Sequence, residues 1–286
     1  MRNRNFEIDP TKHKDGIRDF LDSFNLSSTN PKLSFLEDIL QSFAKLPYEN
    51  ISKIIKLNQQ WDNTSHRIRL PEEVMEDHIS RHLGGTCFSL TFFLQAILTQ
   101  HGFDCYPVMA DMRAGRNIHC CLIVVLDSVK YLVDPGYLLT EPMELNPQQP
   151  RLLRSEFTGV ELLYDSRIQS YDLFTFDKNE VKWRYRFQDR PASPEEFLRH
   201  WQLSFARNSM HGICLTKVMK GGLIFVNKNF MRETTFTEKR NFNIKKDYHA
   251  RINQIFRIDK RIIEQARAAL EENLKREREL GLWAPK

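Results

Sequence analysis

One cysteine lies at the predicted N-terminus of a helix, a position that can activate a thiol. Cys87 follows Gly84-Gly85-Thr86 at the predicted start of a helix. The free N–H groups and partial positive charge of a helix N-terminus lower the pKa of a thiol placed there. The same N–H groups can stabilise the oxyanion that forms when a thiolate attacks a carbonyl. Cys87 is therefore a candidate nucleophile for acyl transfer, and the alternative is a small buried packing residue.

A histidine and an aspartate flank a predicted β-hairpin. Asp127-Ser128 is the polar pair between two apolar runs, which predicts a two-residue turn. In that register Cys121 faces Asp134, and His119 lies two residues further along the same face, about 7–8 Å away between backbones. A three-residue loop would reverse the parity and separate the two side chains. The alternative interpretation is a structural Asp–His pair, or an aspartate that belongs to a turn at the strand end.

The remaining cysteines and histidines show no comparable setting. We expect Cys105, Cys120, Cys121 and Cys214 to be packing residues, because none follows a glycine pair at a helix start. Five cysteines and no Cys-x-x-Cys pair argue against a disulfide framework and a metal site. Among the histidines, His82 is a minor alternative base because it is close to the nucleophile in sequence.

The composition is that of an ordinary globular protein. The chain has 286 residues, 41% of them hydrophobic and 28% charged, enough for one large or two to three small domains. No apolar run reaches the roughly 18 residues of a membrane span, and the N-terminus lacks the apolar core of a secretory signal. We therefore expect a cytoplasmic protein without a membrane partner.

The charge is mild overall but unevenly placed. A net charge of +5 is too small to indicate a nucleic-acid partner. Residues 217–251, however, hold nine Lys or Arg against three acidic residues. This segment is either a solvated face or a surface that attracts a polyanionic cosubstrate.

The hydrophobic pattern divides the chain into a helical region, a β region and a mixed α/β region. Helical spacing predicts helices over 12–24, 31–46, 71–84, 87–101, 194–208 and 260–279. Short apolar runs between turn residues predict strands over 105–112, 118–126, 129–133, 151–157, 160–164, 171–176, 181–187, 213–218 and 223–226. One or two more strands fall between 230 and 244, and the chain is again helical from about 247.

Three motifs carry a resemblance to a known family. The segment Arg81-His-Leu-Gly-Gly-Thr-Cys87-Phe88 resembles the Arg-Gly-Gly-x-Cys motif of the arylamine N-acetyltransferases, and His119 and Asp134 follow with that family's order and spacing. Leu46-Pro-Tyr-Glu-Asn50 is similar to the family's Pro-Phe-Glu-Asn motif. His101-Gly-Phe-Asp104 resembles its Gly-Phe turn. The resemblance extends over roughly residues 10–265.

The resemblance implies a fold and a reaction. The fold is α+β, with a helical bundle over 1–102 that carries Cys87, an antiparallel β-barrel over 103–192 that carries His119 and Asp134, and an α/β lid over 193–286 around a cysteine-protease-like Cys-His-Asp core. The implied reaction is ping-pong transfer of an acetyl group from acetyl-CoA, or another acyl-CoA, through a Cys87 thioester to an arylamine, arylhydrazine or hydroxylamine. It implies no permanently bound cofactor, and the chain would be a monomer or dimer.

The sequence departs from the family near the reaction centre. Ser89 stands where the family often has Glu or Gln, and Asp134-Pro-Gly-Tyr-Leu138 replaces Asp-x-Gly-Phe-Gly. The acceptor pocket is therefore expected to differ, with Phe88, Val108, Met112 and Phe225 as candidate lining residues. Ahead of His119, the short polar segment with Arg116 and Asn117 is a candidate contact for coenzyme A phosphates. Glu49 and Asn50 are expected to brace the helical region.

Two other functions stay open at this point. An amide-forming synthase or a transglutaminase-like hydrolase would use the same triad. The distinguishing observation is whether free acyl-CoA, a carrier-bound acyl group or an amide acylates Cys87. A non-catalytic small-ligand-binding protein on the same fold is the third possibility, and the intact triad argues against it.

Overall fold

The computed structural model describes residues 8–27, 30–155 and 157–282. Five helices and one very short strand, β1 (Tyr48–Glu49), precede the long strands. The helices are α1 (Lys14–Phe24), α2 (Leu33–Phe43), α3 (Ile51–Gln59), α4 (Pro71–Arg81) and α5 (Cys87–Gln100). The sequence patterns predict all of them except α3 as separate helices.

Helix α5 is the central helix of this region. It is apolar all round, and 11 of its 14 residues are buried, which is the pattern of a helix enclosed on every side. Leu90 and Phe93 pack into the cluster under α1 and α2, whereas Phe88 and Phe92 pack into a second cluster shared with the C-terminal region. The position of Cys87 is thus fixed by core packing on both sides.

The middle of the chain forms a single antiparallel sheet of eight strands. In sheet order β5-β4-β3-β2-β9-β8-β7-β6, it curves into a nearly closed barrel. The strands are β2 (Asp104–Met112), β3 (Gly115–Leu126), β4 (Val129–Val133), β5 (Met143–Glu144), β6 (Arg151–Arg154), β7 (Gly159–Asp165), β8 (Ser170–Phe176) and β9 (Val181–Phe187). The predicted α+β fold with a central antiparallel barrel is confirmed.

Strand β6 is shorter than predicted. It ends at Arg154, not at 157, because the N–H and hydroxyl of Ser155 both donate to the carbonyl of Thr158 and turn the chain towards β7. Residue 156, within the predicted strand, lies outside the described residues.

A second antiparallel sheet follows, in the order β1-β10-β11-β12-β13. Its elements, with the helices around it, are α6 (Pro194–Leu203), β10 (Cys214–Met219), β11 (Gly222–Asn227), β12 (Phe230–Thr234), β13 (Lys239–Asn243), α7 (Tyr248–Phe256) and α8 (Lys260–Glu279). Tyr48 of β1 pairs with Thr216 of β10, so the helical region supplies the edge of this sheet. The domain limits at 102 and 192 stay a prediction.

In the C-terminal region, helix α6 is shorter than predicted and helix α8 packs against the helical region. Helix α6 begins as predicted, with the Ser193 hydroxyl capping the N–H of Glu196. It ends at Leu203, well before 208, because Arg207 is extended and divides the following residues into two short 3-10 turns. Helix α8 packs along α3, where the Asn273 amide donates to the carbonyl of Ile54.

Within the described ranges, none of the helices has the length and apolar character that crossing a membrane requires. The same part of the chain shows no group of three His, Cys, Asp or Glu side chains arranged to hold a metal ion.

Candidate active site

The hairpin that carries the histidine and the aspartate has the predicted register. Leu126 pairs with Val129, and the ladder continues in step to Leu122 and Val133. Asp127 and Ser128 both have positive φ, 50° and 64°, which is the conformation of a type I′ two-residue turn. The next pair along would be Cys121 and Asp134, as the spacing indicates.

This register brings His119 and Asp134 into direct contact. His119 Nε2 lies 2.8 Å from Asp134 Oδ2, and both side chains are buried. The other carboxylate oxygen, Oδ1, accepts the N–H groups of Gly136 at 2.9 Å and Tyr137 at 3.1 Å. With Nε2 occupied by the carboxylate, His119 presents Nδ1 to Cys87. One carboxylate oxygen therefore orients the ring, and the backbone N–H groups on the other oxygen hold the carboxylate in place.

The thiol and the imidazole shift each other's protonation. The pKa of Cys87 is well below its usual value because Cys120 and His119 hydrogen-bond to its sulfur and outweigh the cost of burial. Burial opposes the charge on His119, but Asp134 and Cys87 raise the pKa of its ring to about 10. Both shifts favour a thiolate and an imidazolium, which are a nucleophile and an acid ready for acyl transfer.

Gly136 closes over the triad where no side chain fits. A Cβ placed there would lie 2.8 Å from His119 Cε1, 3.1 Å from Cys87 Cβ and 3.2 Å from Asp134 Oδ1. The glycine of the Asp134-Pro-Gly-Tyr-Leu138 segment is therefore required by packing. In the same segment, Leu138 adopts a φ of 54°, at the position where the resembled family reads glycine.

A buried ion-pair network holds the glycine pair that precedes Cys87. Arg69 Nη1 donates to the carbonyl of Gly84 at 2.7 Å and lies 3.7 Å from Glu49 Oε1. The Glu49 carboxylate also accepts the N–H and hydroxyl of Ser52. At the helix start, Ser89 Oγ accepts the N–H of Thr86, so Ser89 serves the helix cap.

Asn50 braces the helical region against the second sheet. Its amide donates to the carbonyls of Ser209 and Gly212, and its oxygen accepts the N–H of Cys214. These three bonds join residues that are about 160 positions apart in the chain. Glu49 and Asn50 thus make the bracing contacts that the sequence predicts.

The triad lies at one end of a cavity of about 830 Å³. Cys87, His119, Gly136 and Tyr137 line that end. The cavity extends between the barrel and the second sheet, with Met112 and Phe225 among its apolar walls, as expected. Phe88 and Val108, the other two expected lining residues, are instead fully buried in the core.

Three arginines line this cavity, Arg184 from β9, Arg232 from β12 and Arg207 from the turns after α6. Arg184 donates to Thr175 Oγ1 at 2.6 Å, and Arg232 donates to Asn241 Oδ1 at 2.8 Å. Arg207 donates to the carbonyl of Asn117 at 3.0 Å. Each guanidinium is therefore held by a neutral acceptor, and its charge is available to an anionic ligand. Arg232 belongs to the basic segment 217–251.

Arg116 and Asn117 do not line the cavity that contains Cys87. They line a separate hollow of about 330 Å³ with Arg186 and Arg190. Asn117 has a φ of 51°, and its N–H donates to Asp111 Oδ1. Their role in coenzyme A binding stays a prediction. His82, the alternative base, caps the end of α4 and lines a third hollow away from Cys87.

Two groups beside the nucleophile were not anticipated from the sequence. Cys120, expected to be a packing residue, lies in the same buried cluster as Cys87 and contributes to the lowered pKa of its thiol. The alternation of β3 could have shown this, since Cys120 shares a strand face with Leu122 and Val124, which pack on α5. Lys53 is buried on α3, and no sequence signal separates it from a surface lysine.

Known proteins share both the sequence pattern and the architecture. Residues 32–263 match the family described as N-acetyltransferase. The chain belongs to the arylamine N-acetyltransferase family. It is 28% identical over 191 residues to arylamine N-acetyltransferase 1 of Bos taurus, a match that covers 58% of this chain and 63% of the bovine protein. It is also 29% identical over 99 residues to proansamycin X synthase of Amycolatopsis mediterranei, covering 32% of this chain and 38% of the synthase.

Solved arylamine N-acetyltransferases have the same fold. The Mycobacterium abscessus enzyme superposes with a TM-score of 0.75 at 15% identity, covering 89% of this chain and 94% of that one. The Bacillus cereus enzyme, which has a Cys-His-Glu catalytic triad, gives a TM-score of 0.67 at 15% identity, with 86% and 99% covered. In this chain the carboxylate in contact with the histidine is that of Asp134.

Proposed function

We propose that this protein is an acyl-CoA-dependent N-acyltransferase that works through a Cys87 thioester. The observation that carries the proposal is the 2.8 Å contact between His119 and Asp134 beside a thiol of lowered pKa, at the end of a large cavity. Membership in the arylamine N-acetyltransferase family supports acetyl-CoA as the donor and an arylamine or arylhydrazine as the acceptor.

The first half-reaction loads the enzyme. The Cys87 thiolate attacks the thioester carbonyl of acetyl-CoA, and the N–H groups at the start of α5 stabilise the oxyanion that forms. The carbon–sulfur bond to coenzyme A then breaks, and the departing thiolate takes the proton of the His119 imidazolium. Asp134 keeps its negative charge and orients the ring throughout.

The second half-reaction transfers the acetyl group. The amine attacks the Cys87 thioester while neutral His119 accepts a proton from the amine nitrogen. The carbon–sulfur bond to Cys87 breaks, an amide leaves, and the thiolate–imidazolium pair is restored. One cavity serves both substrates in turn, as ping-pong transfer requires.

The cavity walls suit two chemically different ligands. Arg184, Arg207 and Arg232 provide positive charge for the phosphates of a coenzyme A thioester. Tyr137 and Phe225 provide aromatic surface for the ring of an acceptor. The five cysteines, all free thiols, suit a reducing cytoplasmic location.

Intact-mass measurement after incubation with acetyl-CoA tests the proposal. We expect a gain of about 42 Da, one acetyl group, in the wild type and none in Cys87→Ser, since the thioester forms on that sulfur. Addition of an arylamine should then return the mass to its starting value. Alkylation of Cys87 by iodoacetamide in parallel shows whether the thiol is reactive.

Failure of acetylation has two distinct meanings. If Cys87 alkylates readily but acetyl-CoA does not load it, the donor is a different acyl group. If Cys87 is inert to both reagents, the triad is not catalytic and the chain is a binding protein on this fold.

An amide synthase is the second candidate, favoured by the likeness to proansamycin X synthase. Such an enzyme would form the same Cys87 thioester from a carrier-bound acyl chain. The two candidates differ in their donor. An amide synthase would be loaded by an acyl group on the pantetheine arm of a carrier protein, and it would not be loaded by acetyl-CoA.

A further inference from the structure

The end of the active-site cavity that is remote from the triad is lined by charged side chains. Asp177 and Glu180 belong to the turn between β8 and β9, and Lys239 begins β13. On β9, the ring centroid of Tyr185 lies 4.8 Å from that of His119. Glu180 precedes Tyr185 by five residues, which is about 16 Å along an extended chain. The acidic turn is therefore well separated from the reacting atoms.

Strand register places Lys239 on the face of the second sheet that borders the cavity. Leu223 of β11 pairs with Thr234 of β12, and Thr234 pairs with Lys239 of β13. All three residues line the cavity. Lys239 is also exposed to solvent, so the cavity meets the surface of the protein at this point.

Ion pairs join the barrel and the second sheet across this end of the cavity. The Lys239 ammonium lies 2.5 Å from Asp177 Oδ2 and 2.6 Å from Glu180 Oε1. Asp177 Oδ1 accepts the N–H groups of Asn179 at 2.8 Å and Glu180 at 3.1 Å, so the turn itself fixes this carboxylate. Lys182 pairs with Glu180 at 2.7 Å. A network of this kind contributes more than an isolated surface pair, and salt screens it.

Strand β13 is a weakly packed edge strand. All five of its residues are exposed, and its backbone pairs with β12 as the last strand of the sheet. In the turn that precedes it, the Phe236 ring centroid lies 4.0 Å from the Arg154 guanidinium of β6. A segment with few buried side chains opens locally at low cost in free energy. The position of the hairpin 230–243 therefore depends on its contacts with the barrel, and those of Lys239 are the ion pairs among them.

We propose that Lys239 determines which molecules reach the nucleophile by their size, because its ion pairs to Asp177 and Glu180 hold the hairpin 230–243 against the barrel and narrow this end of the cavity. When these ion pairs break, the hairpin moves away from the β8–β9 turn and larger molecules reach Cys87. The selection of substrates by size rests on the proposed function, whereas the control of access to the thiol does not.

Two thiol reagents of the same chemistry and different size test this role. Iodoacetamide is small, N-(1-pyrenyl)iodoacetamide carries a bulky pyrene group, and neither is charged. The ratio of their alkylation rates at Cys87, assigned by peptide mass, cancels changes in the reactivity of the thiol itself. We expect Lys239→Gln and Asp177→Asn each to raise the bulky-to-small ratio about fivefold, as for the loss of one partly exposed ion pair. Cys214, a free thiol that lines the same cavity, is a second reporter of access.

Two further variants separate the bridging charge from charge in general. Arg240 follows Lys239 on β13, and its guanidinium pairs with Glu238 inside the hairpin. Arg240→Gln thus removes a charge but keeps the bridge to the barrel, and it should leave the ratio unchanged. Lys239→Arg keeps the bridging charge and should lie closer to the wild type than Lys239→Gln does. Salt at about 0.5 M should raise the wild-type ratio and leave that of Lys239→Gln unchanged.

Hydrogen exchange of residues 230–243, followed by mass spectrometry, measures the opening of the hairpin. Lys239→Gln should speed this exchange about fivefold, and Arg240→Gln should not. An unchanged alkylation ratio in Lys239→Gln overturns the proposal even where the hairpin exchanges faster, because opening would then admit nothing larger. An equal rise of the ratio in Arg240→Gln also overturns it.

These measurements are independent of acyl transfer. A raised ratio in Lys239→Gln, in a protein that acetyl-CoA does not load, supports the role of Lys239 and contradicts the proposed function. An unchanged ratio in a protein that is loaded normally does the reverse.

Discussion

Two walls of the cavity are built in different ways. The wall with Cys87, His119 and Asp134 comes from one helix end and one hairpin, and its side chains are buried and fully hydrogen-bonded. A second wall carries Arg184 and Arg232 on strands that are distant from the triad in sequence, and these side chains line the cavity with hydrogen bonds only to uncharged acceptors. The first wall fixes the geometry of bond-making, whereas the second offers charge to a ligand.

This difference predicts which measurement each wall should affect. A change at the triad wall should lower the rate of acyl-enzyme formation at saturating donor. A change at the cationic wall should raise the donor concentration needed for that rate and leave the reactivity of the thiol intact. A triad variant that changes only the donor concentration, or a cationic-wall variant that changes only the rate, would contradict this comparison.

The largest effect is expected from Asp134→Asn. An amide in place of the carboxylate removes the charge that favours the imidazolium and directs N–H groups at His119 Nε2, so the ring takes the wrong tautomer. Single-turnover acetylation by rapid quench and mass spectrometry should show a loss of about 10³–10⁴-fold, a range taken from comparable triads. Circular dichroism checks that the fold is kept, and a loss under tenfold would contradict the role assigned to Asp134.

A smaller loss is expected from Gly136→Ala. The added methyl group would lie 2.8 Å from Cε1 of the His119 ring and 3.1 Å from the Cβ of Cys87, so the ring must move from its place beside the thiol. A misplacement of about 1 Å between reacting groups costs about 100-fold, and we expect a loss of that order in the same single-turnover rate. Gly221→Ala is the control for a glycine replacement away from the site: a Cβ there meets nothing within 4 Å, and its φ of 76° strains only an exposed turn, so the rate should stay unchanged. Equal rates in Gly136→Ala and wild type would show that the side chains around Gly136 can move aside without loss of the reactive geometry.

The contrast between the walls also explains what the sequence could predict. The triad wall depends on short-range rules: a glycine pair before a helix start, a two-residue turn, and strand alternation. Those rules give the contact between His119 and Asp134 from spacing alone. The α5 helix and the strands up to 187, apart from the two-residue β5, follow from hydrophobic periodicity in the same way.

The rest depends on contacts between distant segments. Arg184 and Arg232 are about 50 residues apart, and nothing in either neighbourhood indicates that they share a cavity. Arg116 precedes His119 and is predicted to reach that cavity, but it lines another hollow. Helix α3 was missed because nine residues give too short a pattern, and its burial depends on α8.

Arg184→Gln and Arg232→Gln test the cationic wall. Each substitution keeps a polar side chain but removes a charge that faces the cavity, so the KM for acetyl-CoA should rise by about tenfold, as for loss of one charge-assisted contact. The kcat and the alkylation profile of Cys87 should stay unchanged. Arg116→Gln is the matched control in the other hollow. A higher KM for that control alone would instead place the donor phosphates at Arg116 and Asn117.

The smallest effect concerns Lys53, which is buried on α3. Its ammonium donates to the hydroxyl of Ser204 at 2.6 Å and to its carbonyl at 3.1 Å, and burial lowers the pKa of Lys53 to about 8 against the raising effect of Cys87. The folded protein therefore releases this proton near pH 8, whereas the unfolded chain holds it to about pH 10.4. Between these values the unfolded state binds more protons, so the contribution of Lys53 to stability rises with pH.

Lys53→Met removes this titration. From pH 7 to pH 9, the unfolding free energy of the wild type should rise relative to the variant by about 1 kcal/mol, measured by urea denaturation at each pH. Lys56→Met is the control on the same helix, since Lys56 pairs with the Glu73 carboxylate nearer the surface. A difference that stays constant or falls with pH would mean that Lys53 keeps its proton, and that the region beside the nucleophile is more polar than its packing indicates.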